Sequence, residues 1–142
     1  MRVVADTNIV VSALLYDGAE RRLLDAARSG RIALYTSAVL LDELADVLPR
    51  TKFSDRVAAS KLSIRQLVRR YARLAARVIP AEIHPVIIAD PDDDAVLTCA
   101  LAAAANLIVS GDNRVRNLKH FHRIPILNAA QALVRIGRSR RS

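Results

Sequence analysis

The chain has 142 residues, 52% of them hydrophobic and 25% charged, which excludes a disordered polymer and favours one domain with a real core. No apolar run approaches the ~20 residues of a membrane span, and Asp6 comes too early for a signal peptide. Lys and Arg number 22 against 14 Asp and Glu, and the resulting +8 suits a nucleic-acid or acidic protein partner, or solubility alone. The single cysteine, Cys99, can close no internal disulfide and reads as a small buried apolar side chain. These features predict a cytoplasmic protein with no membrane partner.

Arg2 to Ala5 is an apolar run ending on Asp6 and predicts a buried strand. Ile9 to Leu15 can be helical, with Asp17-Gly18 as the turn that follows. Glu20 to Arg28 predicts a helix stopped by Ser29-Gly30, and Ile32 to Tyr35 a second strand. Ser37 is a good N-cap for a helix carrying Leu40, Leu41, Leu44, Val47 and Leu48, which Pro49 ends. The next helix is expected over Ser54 to Val78, with Leu67, Tyr71, Leu74 and Val78 facing the core. Ile79 to Ile88 predicts a loop ending in a short extended run. Pro91-Asp92-Asp93-Asp94 opens a helix reaching about Ala104, with acids suited to its N-terminal dipole. Leu107 to Val109 is a strand, Ser110-Gly111-Asp112 a loop, and Ile124 to Leu127 a last strand before a helix from Ala129 to about Ile136. The predicted organisation is one domain over 1–136 and a frayed basic tail over 137–142.

Continuously apolar strands alternating with helices predict an α/β fold with a central, mainly parallel sheet covered on both faces. Ligands of such sheets gather at the C-terminal ends of strands. Asp6 and Asp112 sit at such ends, and Glu43 and Asp94 lie in early helical turns near the same edge. Two unit charges ~4 Å apart repel by about 4 kcal/mol at an effective dielectric of about 20. Four carboxylates drawn together therefore protonate or bind a cation.

The four clusters, Val4-Ala5-Asp6-Thr7-Asn8, Thr36-Ser37 through Glu43-Leu44, Asp90-Pro91-Asp92-Asp93-Asp94, and Val109-Ser110-Gly111-Asp112, resemble in order and spacing the PIN-domain nucleases. More narrowly they are similar to the VapC-like toxins of type II toxin–antitoxin systems, over residues 2 to about 134. The resemblance implies a three-layer α/β/α PIN-like domain. It implies metal-binding, catalytic acids at Asp6, Glu43, Asp94 and Asp112, with Asp93 the alternative to Asp94 if the helix is aligned one residue differently. Thr7, Asn8 and Ser110 match polar positions beside the metal in relatives, and helix or turn capping would explain them equally.

Hard cations such as Mg²⁺ or Mn²⁺ prefer oxygen ligands, and His84, His120 and His122 are too few and too scattered for a zinc site. No Gly-rich phosphate loop or G-x-S-x-G elbow is present in the sequence, which argues against NTP hydrolysis, dinucleotide binding and serine hydrolysis. The resemblance implies an Mg²⁺-dependent endoribonuclease in which water attacks phosphorus and the 3′ oxygen leaves. It also implies RNA as substrate, a small antitoxin protein as partner, and a homodimer. Lys61, Arg65, Arg69, Arg73 and Arg77 recur every four residues, widened by Arg70, and on one helix would form a basic stripe. That stripe is an RNA phosphate track or a solvated helix face. Arg114, Arg116 and Lys119 follow Asp112 closely and are further candidates for phosphate contact. With aromatic residues at 4%, extensive base stacking is not expected. A non-catalytic PIN-like RNA- or protein-binding module and a metal-dependent DNA nuclease remain as alternatives.

Overall fold

The computed structural model describes residues 1–80 and 91–141, with the side chains of 91–93, 113–114 and 139–141 outside that description. Strand β1 (Arg2–Ala5) leads into helix α1 (Thr7–Leu15), then α2 (Ala19–Arg28), β2 (Ala33–Thr36) and α3 (Ala38–Val47). A short 3-10 turn (Thr51–Phe53), α4 (Ser54–Ser60), α5 (Ile64–Leu74) and β3 (Ala76–Arg77) follow. The second half holds α6 (Pro91–Ala102), β4 (Leu107–Val109), α7 (Asn113–Arg116), β5 (His120–Phe121), β6 (Ile124–Leu127) and α8 (Ala129–Arg141).

The strands form one sheet in the order β3-β2-β1-β4-β6-β5, parallel except for the antiparallel β5–β6 pair. Alternation along the central strands divides the core in two. Val3, Ala5, Leu107 and Val109 join the side chains of α1, α2, α5 and α8 on one face. Val4 and Ile108 join Val96, Leu97, Ala100 and Val115 of α6 and α7 on the other. Both faces are covered, so the buried positions of the central strands β1 and β4 are all apolar, and the layered α/β/α arrangement follows. Cys99 is fully buried on the α6 side, as its apolar reading predicts.

The single helix expected from Ser54 to Val78 is instead two helices and a strand. Lys61 adopts a left-handed φ of 60° and closes α4. Ser63 then starts α5 with a reciprocal capping box, its Oγ accepting from Gln66 N at 3.1 Å while Gln66 Oε1 accepts from Ser63 N at 2.8 Å. Past Leu74 the chain pairs with β2, and Val78 N donates to Thr36 O at 2.9 Å. Leu67 and Tyr71 are buried as expected, whereas Leu74 and Val78 are half-buried. The last helix runs to Arg141, beyond the expected end near Ile136. The segment 81–90, including most of the loop predicted over Ile79 to Ile88, lies outside the described residues, as do His84 and Asp90. No described helix is long and apolar enough to cross a membrane.

Candidate active site

The site is built at the point where the sheet reverses its winding order. From β1 the chain goes to β2 on one side, and β4 later enters on the other side of β1. Adjacent crossovers on opposite sides leave a crevice at the C-terminal ends of β1 and β4. Ala5 pairs with Val109 there, and Asp6 N donates to Val109 O at 2.9 Å.

Asp6 occupies that crevice and is only 6% exposed. Its backbone is extended, and its side chain is the N-cap of α1, with Oδ1 accepting from Thr7 N at 2.7 Å. Oδ2 accepts from Ser110 Oγ at 2.9 Å. Ser110 is fully buried, and its Oγ also accepts from Asp112 N at 3.0 Å. One hydroxyl thus fixes both the Asp6 carboxylate and the backbone that presents Asp112, which is half-buried. Ser110 thus makes a turn-capping contact, one of the two roles the sequence allowed, and the same hydroxyl reaches Asp6. Thr7 is 3% exposed, and its Oγ1 is buried with no hydrogen-bond partner among the described residues. A buried hydroxyl without a partner costs roughly 1–3 kcal/mol, so this one is a place for a water or a ligand. Asn8 is exposed on the first turn of α1.

Glu43 lies on α3, half-buried with Oε2 shielded from solvent. Asp94 is half-buried on α6. Leu40, one turn before Glu43, and Leu97, one turn after Asp94, belong to the same apolar cluster, and α3 packs against α6. Helical spacing therefore puts both acids beside the α3–α6 contact. α6 also packs on β1 and β4, the strands that deliver Asp6 and Ser110. Asp93 is on α6 with its side chain outside the description. Among the described residues, no three acidic, histidine or cysteine side chains converge as a formed cation cluster. A direct connection runs through Asp6, Ser110 and Asp112, and Glu43 and Asp94 stand on helices that pack against each other.

Arg65, Arg69 and Arg73 are exposed along α5. Lys61 and Arg77 are not in line with them, because one caps α4 and the other lies in β3. The five-residue stripe expected on a single helix is thus reduced to α5. After Asp112, Arg116 is half-buried on α7 and Lys119 is exposed at a left-handed φ of 62°, with the Arg114 side chain outside the description. His120 and His122 are both exposed, in keeping with surface roles. Sequence reasoning missed Arg21 and Arg28 of α2, which line the same clefts as Arg70 of α5. Their spacing of two helical turns was the available signal.

The family described as PIN domain matches residues 2–114. No curated protein matches the chain.

Proposed function

The chain belongs to the PIN-domain family, whose members are generally nucleases, and from that premise we propose a divalent-metal-dependent endoribonuclease acting as the toxin of a toxin–antitoxin pair. The observation that carries this reading is Asp6. It is a carboxylate buried at the switch point of the sheet, oriented by two donors, with the unsatisfied Thr7 hydroxyl beside it. Solubility gives no reason to bury an acid there.

The donor chemistry fits a hard cation. Asp6, Glu43, Asp94 or Asp93, and Asp112 are the residues that would hold Mg²⁺ or Mn²⁺, and all offer oxygen. When bound, such an ion supplies an acidified water and neutralises charge developing on the phosphodiester. The protein's own part is positioning. Ser110 and the Thr7 amide hold the Asp6 carboxylate in one orientation, and Ser110 fixes the turn that carries Asp112. Water adds to phosphorus, the bond to the 3′ oxygen breaks, and that oxygen takes up a proton, leaving a 5′-phosphate and a 3′-hydroxyl. No side-chain nucleophile is required. The proposal extends to a small antitoxin that holds the enzyme inactive and to a homodimer.

Cleavage of labelled single-stranded RNA tests this reading, with Mg²⁺ or Mn²⁺, with EDTA, and with Asp6→Asn. Metal-dependent cutting that disappears in EDTA and in the variant is the expected result. A folded Asp6→Asn protein that cuts at the wild-type rate would overturn it.

A further inference from the structure

We propose that six arginines along α2 and α5 form a track for the phosphate backbone of single-stranded RNA on the α2–α5 side of the domain. The RNA assignment rests on the nuclease reading above; the track itself rests on three adjoining clefts. The first, about 370 Å³, lies between Ala13 and Leu14 of α1 and Arg21, Arg28 and Arg70. The second, about 480 Å³, shares Arg28 and Arg70 and adds Arg69 and Arg73. The third, about 540 Å³, shares Arg69, adds Arg65, and reaches Ala45 on α3. The shared side chains make the three clefts one band, and among the described residues no acidic side chain lines any of them.

The cost of the arrangement points to a polyanion. α5 reads Ile-Arg-Gln-Leu-Val-Arg-Arg-Tyr-Ala-Arg-Leu, four arginines and no acid. Like charges at i,i+4, as in Arg65–Arg69–Arg73, each destabilise a helix by roughly 0.2–0.5 kcal/mol. Among the described residues no carboxylate pairs with these side chains. Arg28 does pair with Asp25 at 3.3 Å, but both are largely exposed, at 44% and 60%, and such pairs are weak. Arg21 is held in place by bonds to Ala13 O at 2.7 Å and Leu14 O at 3.2 Å. Arginine rather than lysine throughout matches the two-pronged geometry of phosphate. An open band lined by charge and by aliphatic Leu62, Val68 and Leu74, without aromatic rings, suits a repeating backbone held without regard to base.

Fluorescence anisotropy of a labelled single-stranded RNA in EDTA reads this track without catalysis. For six contacts the logarithm of the association constant should fall with log[KCl] at a slope of about −4. The Arg70→Gln/Arg73→Gln variant should bind roughly 25-fold more weakly at ~0.1 M KCl and flatten the slope by about 1.4, since each contact carries about 0.7. Its circular dichroism melt should match wild type or lie slightly above it, since a like-charge i,i+4 pair is removed. Wild-type affinity and slope in this variant would overturn the track, as would stronger competition by polyglutamate than by unlabelled RNA. RNA bound along the track but never cut, with any metal, removes the nuclease reading and leaves the track. Cutting retained with no effect of the arginine variant does the reverse.

Discussion

Ser110 ties the end of β4 to the end of β1. Its hydroxyl donates to Asp6 Oδ2 at 2.9 Å across 104 positions of chain, and the same oxygen accepts from Asp112 N at 3.0 Å. Ser110→Ala removes the donor and leaves a buried carboxylate with one contact fewer. The expected loss of folding stability is about 1.5–3 kcal/mol, the range for hydrogen bonds to charged groups. Ser110 acts through Asp6, so Mn²⁺ affinity, read by titration calorimetry on the folded variant, should fall about 10–100-fold. Unchanged Mn²⁺ affinity would reduce Ser110 to a structural cap.

Asp6 caps α1, and the proposed function gives its charge a second role; two substitutions separate the two. As N-cap of α1 it accepts from Thr7 N. Asparagine keeps an oxygen for that role, but its amide nitrogen cannot accept from Ser110, so Asp6→Asn should keep the cap and lose about as much stability as Ser110→Ala. It loses the charge, so cleavage should fall by about 10³-fold or more. Asp6→Ala loses the cap as well and should cost about 1 kcal/mol more stability than Asp6→Asn. Equal melting of the two variants would contradict the capping assignment.

Much of this architecture was legible in the sequence, for identifiable reasons. β1, β4 and β6 are apolar runs buried between two helical layers, and such strands announce themselves by composition. Ser37 was readable as a cap, and its Oγ does accept from Leu40 N at 3.3 Å. The two-residue strands β3 and β5 were not legible, because pairing with β2 and β6 defines them rather than any local pattern. The β5–β6 turn places His122 and Arg123 at φ of 48° and 67°, a conformation usually marked by Asn-Gly and here carried by residues that give no such signal. At the site, the acids were visible as types and positions, and their connection through one serine hydroxyl was not. The α5 arginines were visible as a stripe, while Arg21 and Arg28 escaped because α2 is distant in sequence from α5.

The break between α4 and α5 was written in the chain as Ser63-Ile64-Arg65-Gln66, a capping box that the longer helical pattern obscured. Ser63→Ala removes the acceptor for Gln66 N. It should destabilise the protein by about 1 kcal/mol, measured by urea unfolding. Ser63→Asp, which keeps an acceptor, should restore most of that. A stable Ser63→Ala protein would mean that tertiary packing, not the cap, sets the start of α5.

Alkaline pH should weaken the fold through two buried groups. Burial pushes the Cys99 thiol from its ordinary 9.0 up to about 12. Burial, and then the nearby Cys99, raises the Tyr71 phenol above its ordinary 10.0. The Tyr71 hydroxyl has no hydrogen-bond partner among the described residues. Between 9.0 and about 12 the unfolded chain has released the thiol proton while the folded one still holds it. More protons on the folded side make the slope of unfolding free energy against pH negative. The stability conferred by the neutral thiol is therefore whole below the unfolded value and is lost as pH climbs toward the folded one. The urea midpoint should hold steady near neutrality and drop by about pH 10.5. Removing both groups, as Tyr71→Phe with Cys99→Ala, should flatten that decline, whatever it does to stability at neutral pH. An equally steep decline in the double variant would move the cause to other groups. Cys99 in the folded wild type should likewise resist alkylation near pH 8, because the reactive thiolate is nearly absent and the sulfur is fully buried.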